Sequence, residues 1–237
     1  MKSHFRLLVM SIFVAALNSA DGQGTMITLH SGYNDPTTEG FSLNLASASV
    51  GPVTNDLGMN AWNTAVPPNG LYATYSEGLS SNQTALLSGQ NWVLSLDLRV
   101  VGVDTNGRSW VNFGSGSDEF SISFGAETNG DPFVQIGHQS YTLNGAGSTY
   151  NNYQLVYDAT SDMADLYIDG AVRISDVTHT SLVESGGALY FGSGTQAGPA
   201  QANWNLISLN VPEPSSAAVI LLGGGALFYL RRKWAGK

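Results

Sequence analysis

The chain of 237 residues is acidic and contains no cysteine, with 18 Asp and Glu against 9 Lys and Arg and a net charge of −9 at pH 7. It therefore has no disulfide framework and no thiol nucleophile. Region 23–211 contains only Arg99, Arg108 and Arg173 beside 16 acids, a net charge of −13. Such a surface repels nucleic acid and anionic lipid and suits neutral glycans or divalent cations. Acidity that only keeps an extracellular protein soluble is the alternative.

The N-terminus has the pattern of a secretory signal peptide. Lys2 and Arg6 lie before an apolar core that begins at Leu7 and ends at Leu17, and small residues follow this core. Because this core is too short to span a bilayer, a retained anchor is disfavoured. We expect residues 1–22 to form the signal peptide, with cleavage between Ala20 and Gly24.

Region 23–211 is long enough for one domain with a full hydrophobic core. Apolar and polar residues alternate in it as they do in strands, most clearly from Trp92 to Val100, where every second residue is apolar. The same alternation recurs at 120–124, 133–136, 155–157, 165–169, 189–191 and 204–209. Many short strands at such spacings predict an all-β fold, an antiparallel β-sandwich.

Turn and cap residues complete this pattern. Residue pairs that tolerate positive φ lie between the strands, at Asn106-Gly107, Asn129-Gly130, Asn144-Gly145 and Asp169-Gly170. One short helix is expected from Leu79 to Ser88, with Ser80 or Ser81 as its N-cap.

The segment from Tyr153 to Val172 resembles the central hairpin of laminin G-like, concanavalin A-like domains. Those hairpins contain a strand ending in Tyr-Asp, here Tyr157-Asp158, and a strand reading Leu-Tyr-Val-Asp-Gly, here Leu166 to Gly170. The resemblance implies a jelly-roll β-sandwich over 23–211. It implies less about function, because this fold hosts lectins, polysaccharide hydrolases and adhesion modules.

No catalytic pair is predicted. Retaining glycosidases of this fold place two carboxylates on one strand face through a Glu-x-Asp-x-x-Glu pattern. The acids Asp118, Glu119 and Glu127 have a different spacing, and neighbours in a strand point to opposite faces. We therefore expect no enzyme, and a divergent polysaccharide hydrolase is kept as an alternative.

Calcium binding stays open, and no other cofactor is predicted. Asp104 to Gly107 and Glu127 to Asp131 resemble calcium loops, since carboxylates and turn carbonyls supply the oxygens that calcium needs. Four further acids surround the laminin G-like hairpin: Asp158, Asp162, Asp165 and Asp169. We expect hairpin turns with solvated acids, and Asp169 as a turn former. The histidines have no spacing typical of zinc or of a Ser-His-Asp triad.

Several aromatic residues are expected near loops or at strand ends, where a ring can stack on a sugar and leave a polar edge for hydrogen bonds. They are Trp62, Tyr72, Tyr75, Trp110, Tyr141 and Tyr150. Trp62, Trp110 and Tyr141 are the candidate ligand-binding residues, with packing as the alternative for each, and Trp92 and Trp204 are assigned to the core.

The C-terminus combines a proline turn, an apolar run and a basic end. The turn is Val211, Pro212, Glu213 and Pro214, and its prolines should stop the preceding strand before Val211. The apolar helix predicted at about 215–230 is roughly 24 Å long, slightly short of a bilayer core of about 30 Å. The cations Arg231, Arg232 and Lys233 should hold this end in the cytoplasm, with the domain on the other side.

This order of parts resembles the PEP-CTERM sorting signal of exported proteins in Gram-negative bacteria that make exopolysaccharide. The resemblance implies that an exosortase cuts near the Pro-Glu-Pro turn, so that a chain first anchored in the inner membrane reaches the cell surface or the extracellular matrix. An ordinary C-terminal anchor is the alternative. The sequence thus predicts an exported protein with a role in non-catalytic glycan binding or extracellular structure, with exosortase and exopolysaccharide as partners. A ligand-free structural passenger is kept as an alternative.

Overall fold

Strands make up nearly all of the regular structure in the residues described by the computed structural model, 25–102, 107–115, 118–181, 187–195 and 198–211. In chain order they are β1 (Thr25–Ser31), β2 (Ser42–Ala46), β3 (Ser49–Asp56), β4 (Met59–Val66), β5 (Tyr72–Gly78), β6 (Trp92–Val100), β7 (Gly107–Ser115), β8 (Asp118–Ala126), β9 (Pro132–Ile136), β10 (Gln139–Thr142), β11 (Tyr150–Asp158), β12 (Met163–Ile168), β13 (Ala171–Val177), β14 (Thr180–Ser181), β15 (Ala188–Thr195) and β16 (Ala200–Val211). A 3-10 helix (Pro36–Glu39) and one α-helix, α1 (Ser81–Leu87), interrupt them.

The strands form two antiparallel sheets. The first sheet has the order β13-β12-β11-β6-β16-β4-β3, with β1 beside β16. The second sheet has the order β10-β9-β8-β7-β15-β5-β2, with β14 beside β8. The predicted all-β sandwich of antiparallel sheets is therefore confirmed. Each predicted strand lies in an observed one, except that Asp169 falls in the turn after β12.

The core lies between the sheets, on the faces that the alternation predicts. In β6 every second residue is buried, from Trp92 to Val100. Trp92 and Trp204 are 2% and 0% exposed, which confirms their assignment to the core. The Trp204 ring meets Phe191 edge to face, with 5.2 Å between ring centroids. Such aromatic pairs add to the stabilisation from burial alone.

Buried hydroxyl groups connect the two sheets through the middle of this core. On the first sheet, the indole Nε1 of Trp204 donates to Oγ1 of Thr64 over 2.9 Å. The hydroxyl of Thr64 contacts Oγ of Ser193 on the second sheet at 2.7 Å, and Ser193 contacts Oγ of Ser109 at the same distance. Because all four residues are buried, each of these polar groups depends on its neighbour for a hydrogen bond.

We expect Thr64→Val to destabilise the domain by about 1–3 kcal/mol, because it leaves the buried N–H of the Trp204 indole without its acceptor in the core. Valine keeps the shape of threonine, so packing changes little. Urea unfolding followed by tryptophan fluorescence measures the loss. Thr74→Val is the matched control, since Thr74 lies on the outer side of β5 and is partly exposed. An equal loss in both variants would contradict this role of Thr64.

The expected exposure of Trp62 and Tyr75 is wrong. Trp62 lies inside β4 and is 7% exposed, and Tyr75 lies inside β5 and is 0% exposed. Nε1 of Trp62 donates to the Tyr75 hydroxyl over 2.8 Å, across the sandwich. Both rings face inward because residues at alternate positions of a strand point to the same side. Trp62 is thus a core residue.

The end of the last strand also differs from expectation. β16 continues through Val211, which is 5% exposed. A residue before a proline is pushed towards extended backbone, and a strand provides that conformation. The expectation that the strand stops before Val211 is therefore wrong.

The predicted short helix is confirmed. α1 begins after Ser80, whose side chain accepts from the backbone N–H of Gln83, and the Gln83 side chain accepts from the N–H of Ser80. Across the residues that the structure describes, no helix has both the length and the apolar character needed to cross a membrane. The predicted signal peptide at 1–22 and helix at 215–230 lie outside those residues.

Candidate functional site

The outer side of the second sheet carries aromatic rings among small polar side chains. In β5, Ala73 and Tyr75 are buried, so Tyr72, Thr74 and Ser76 point outward. The same alternation turns the polar side of β7, β8 and β15 outward. We call this surface the Trp110 face; its members are Tyr72, Thr74, Ser76, Trp110, Asn112, Ser121, Ser123, Tyr190, Gly192 and Gly194.

Glycines allow the Trp110 ring to lie close against the sheet. Trp110 on β7 is opposite Gly192 on β15, and a Cβ added at Gly194 would lie 2.3 Å from Cη2 of Trp110. The ring therefore covers the backbone at Gly194 and remains partly exposed. Tyr190, 38% exposed, is its diagonal neighbour, and such positions lie about 7–8 Å apart. Tyr72 is opposite Gly194 on the other side.

Hydroxyl and amide groups surround these rings. Oγ of Ser121 donates to Oδ1 of Asn112 over 2.8 Å, and Ser123 lies opposite Trp110. Rings with polar neighbours can stack on one side of a sugar and hydrogen-bond its hydroxyls. The chemistry of the Trp110 face is therefore that of a binding surface.

Charged side chains lie at two ends of the Trp110 face. Arg108 is opposite Gly194, and its guanidinium carbon lies 4.5 Å from the centroid of the Phe133 ring. Glu119 is opposite Gly114 at the other end, and burial raises the pKa of its carboxyl group. Between these two ends the members of the Trp110 face are uncharged.

The three candidate ligand-binding residues do not come together. Trp62 is in the core, and Trp110 is on the outer side of the second sheet. Tyr141 is partly buried on the edge strand β10, with the guanidinium carbon of Arg173 5.0 Å from its ring centroid. Tyr190 was not among the expected residues. Its place between the core residues Leu189 and Phe191 is the signal that turns it outward.

A second polar group covers the outer side of the first sheet. Asp56, the last residue of β3 before the turn to β4, forms an ion pair with Arg99. Its other oxygen accepts from the Tyr150 hydroxyl over 2.9 Å and from Nδ2 of Asn203 over 2.6 Å. Burial and the neighbouring Asp56 raise the pKa of Tyr150. We call these four residues the Asp56 cluster. Both carboxylate oxygens are engaged, so the cluster holds the turn against the sheet.

Asp97 and Asp169 lie near this cluster. Asp97 points outward from β6, and burial, with a contribution from the charge of Asp169, raises the pKa of its carboxyl group. Asp169 has a φ of 50°, and its Oδ1 accepts from the backbone N–H of Asn152 over 2.9 Å. The prediction that Asp169 forms a turn is confirmed.

Asp131 is a structural residue that the sequence pattern assigns to solvent. Its carboxylate accepts from the backbone N–H of Gly145 over 2.8 Å and of Gly147 over 3.0 Å, and from the side chain of Asn129 over 2.9 Å. It is 6% exposed, so the expectation of a solvated acid is wrong here. The reason is that Asp131 ties the β8–β9 turn to the loop before β11.

The stabilisation from Asp131 should disappear in acid. The hydrogen bonds from Gly145 and Gly147 lower the pKa of its carboxyl group below the unfolded value of about 3.9. A group with a lowered folded pKa stabilises above the unfolded pKa and loses this effect as pH falls through the folded one. Thermal melts should therefore show a higher midpoint for the wild type than for Asp131→Asn near neutral pH, and a shrinking gap below about pH 4. A gap that is constant with pH would contradict this.

Among the described residues, no three His, Asp or Glu side chains come close enough to hold a metal ion. Asp104 of the first possible calcium loop lies outside those residues. The second possible loop contains Asp131, whose oxygens are bonded to the protein as given above.

A scan against protein families finds one match in the C-terminal part of the chain, at residues 210–233, and it is described as the PEP-CTERM protein-sorting motif. Residues 210–233 are a PEP-CTERM sorting motif. The PEP-CTERM motif contains Pro212, Glu213 and Pro214 and the cations from Arg231 to Lys233. It implies that the protein is exported. A search of curated proteins found no match.

Solved structures share the fold of the domain that precedes the PEP-CTERM motif. One is the binding domain of botulinum neurotoxin DC in complex with rat synaptotagmin II, with a TM-score of 0.53, 10% identity, and coverage of 84% of this chain and 51% of that one. A second is a structure of botulinum neurotoxin type C, described as depending on interaction with two ganglioside molecules for cell entry. Its TM-score is 0.53 at 10% identity, and the match covers 88% of this chain and 52% of that one. The chain thus spans about half the length of these toxin structures.

A third similar structure is a carbohydrate esterase from Shiga toxin-encoding bacteriophage phi24B. Its TM-score is 0.52 at 14% identity, and the match covers 80% of this chain and 100% of that one. At these identities the similarity shows a shared β-sandwich fold.

Proposed function

We propose that this protein is an exported, non-catalytic glycan-binding protein of the cell surface or extracellular matrix. Its domain, 23–211, is a laminin G-like jelly roll, and it binds glycan through the Trp110 face. The chain path supports the jelly roll, because it crosses between the sheets after β1, β2, β4, β5, β6, β10, β13 and β15.

The observation that carries this proposal is the Trp110 face itself. It places the rings of Trp110, Tyr190 and Tyr72 outward on adjoining strands, with hydroxyl and amide groups beside them. A ring that serves only the core would point inward, as Trp204 does. The similar structures include a botulinum neurotoxin type C domain described with two ganglioside molecules and a carbohydrate esterase, and both support a glycan ligand.

Delivery depends on the two ends of the chain. Residues 1–22 direct export and are removed. The helix at 215–230 and the cations Arg231, Arg232 and Lys233 then hold the chain in the inner membrane, with the domain on the periplasmic side. An exosortase cuts near Pro212, Glu213 and Pro214, and the domain passes to the surface, where exopolysaccharide is its partner.

The test is retention on an array of immobilised polysaccharides. The full chain, purified in a mild non-ionic detergent, should bind at least one of them. A ligand-free structural passenger would bind none, and that result would contradict the proposal. The same array probed after heat denaturation of the protein separates specific binding from adhesion of unfolded chains.

A polysaccharide hydrolase is the second candidate, and the raised pKa of Asp97 beside Asp169 is the observation that favours it. Burial, with a smaller contribution from the charge of Asp169, raises the pKa of Asp97, and a carboxyl group with a raised pKa can serve as a general acid. Incubating the full chain with the retained polysaccharides and measuring new reducing ends tests this. New reducing ends that form with the wild type and not with Asp97→Asn would establish the hydrolase. No new reducing ends with the wild type would support binding alone.

A further inference from the structure

We infer that the Trp110 face takes an uncharged polysaccharide and rejects anionic ones. This inference rests on the proposed function and names the ligand class of the same surface. It follows from where the charges of the domain lie and from the composition of the face.

The cations of the domain already have partners away from the centre of the face. Arg99 pairs with Asp56 on the first sheet, and Arg173 lies over the Tyr141 ring at the edge of the second. Arg108, at one end of the face, lies over the Phe133 ring. Anionic sugars are usually bound by arginine forks or lysines aimed at their carboxylates or sulfates. The middle of the Trp110 face presents rings, hydroxyls and amides in their place.

The negative net charge of the domain also disfavours anionic polysaccharides. Region 23–211 carries three arginines against 16 acids, and Glu119 lies at one end of the face. A net charge of this sign repels a polyanion before contact, and the repulsion extends over about one Debye length, roughly 8–10 Å at physiological salt. A neutral chain meets no such barrier, because its contacts are ring stacking and hydrogen bonds.

The shape of the face suits an extended chain. Trp110 on β7 and Tyr190 on β15 are diagonal neighbours, and Gly192, the residue of β15 opposite Trp110, has no side chain between them. Ser121, Ser123 and Asn112 continue the surface across β7 and β8. Two outward rings on neighbouring strands can contact two sugars of one chain, with polar groups on either side.

Native affinity electrophoresis tests this inference. The full chain in non-ionic detergent is run through gels that contain a neutral polysaccharide, hydroxyethylcellulose or galactomannan, or an anionic one, alginate or polygalacturonate. We expect retardation by a neutral polymer and none by the anionic ones. Raising NaCl from about 50 mM to about 500 mM should change the dissociation constant by less than about twofold, because no ion pair is involved.

Alanine substitutions test whether the polysaccharide binds at the Trp110 face. Trp110→Ala and Tyr190→Ala should each weaken binding of the neutral polymer by about tenfold or more, the usual effect of removing a central aromatic contact. Tyr33→Ala is the matched control, because Tyr33 is 50% exposed and follows β1 of the first sheet. It should leave binding unchanged. Circular dichroism checks that each variant is folded.

The outcomes separate this inference from the proposed function. Salt-sensitive retardation by anionic polymers only would overturn the uncharged ligand class and leave glycan binding standing. Neutral binding that survives both Trp110→Ala and Tyr190→Ala would overturn the assignment to the Trp110 face. If no polysaccharide on the gels or the array retards or retains the folded chain, the proposed function fails as well.

Discussion

Replacing Pro212, Glu213 and Pro214 together by alanine should leave the protein in the inner membrane, with little or none released to the surface or medium. The substitution removes the turn at which an exosortase would cut and leaves the predicted helix at 215–230 and its cations in place. Cell fractionation and immunoblotting measure the distribution. Because the change acts on processing and not on folding, we expect a near-complete loss of release.

Ser215→Ala with Ser216→Ala is the matched control, since these residues follow the motif's prolines directly and alanine is equally small. The control should be released like the wild type. Normal release of the triple-alanine variant would show that the Pro-Glu-Pro turn is not needed and would favour an ordinary C-terminal anchor.

Trp204→Ala should cost about 3–5 kcal/mol of folding free energy, the range for removing a large aromatic side chain from a core. Trp204 is 0% exposed, meets Phe191 edge to face and donates a hydrogen bond to Thr64, so its loss leaves a cavity and removes one of the two hydrogen bonds of the Thr64 hydroxyl. For a domain of this size the loss corresponds to a fall of roughly 6–20 °C in the melting midpoint. Scanning calorimetry measures it.

Trp110→Ala is the control for this experiment, because the same residue type is removed from the outer side of the other sheet. It should cost about 1 kcal/mol, since a partly exposed side chain buries less surface. Similar losses in the two variants would mean that the inward and outward sides of β16 and β7 are assigned wrongly.

The strands that the sequence predicts contain a run of alternating residues whose apolar members lie on the buried side. β6 is the clearest, with five apolar residues on its buried side. The strands before residue 79 were not predicted, for two physical reasons. β2 and β3 lie at sheet edges and contain no fully buried residue, so they show no clear alternation. In β4 the buried Thr64 interrupts the apolar pattern, and only its partners on other strands explain why a hydroxyl is there.

The Trp110 face was predicted in part for the same reason. Trp110 was identified, but Trp62 was expected on the surface because β4 was not recognised. Tyr190 could have been found, since the apolar residues on both sides of it turn it outward. The position of the Trp110 ring over Gly194 could not be predicted, because it depends on the register between β7 and β15. The buried role of Asp131 likewise depends on a loop that is distant in sequence.

The most direct test of the proposed export and sorting is to locate the wild-type protein in its producing cell and to measure its intact mass. If the protein is exported and sorted as proposed, it will be found at the cell surface or in the medium, and its mass will lack the N-terminal 20 to 23 residues and the segment that follows the Pro-Glu-Pro turn. Recovery of the unprocessed 237-residue chain from the cytosol, with both terminal segments attached, would contradict it.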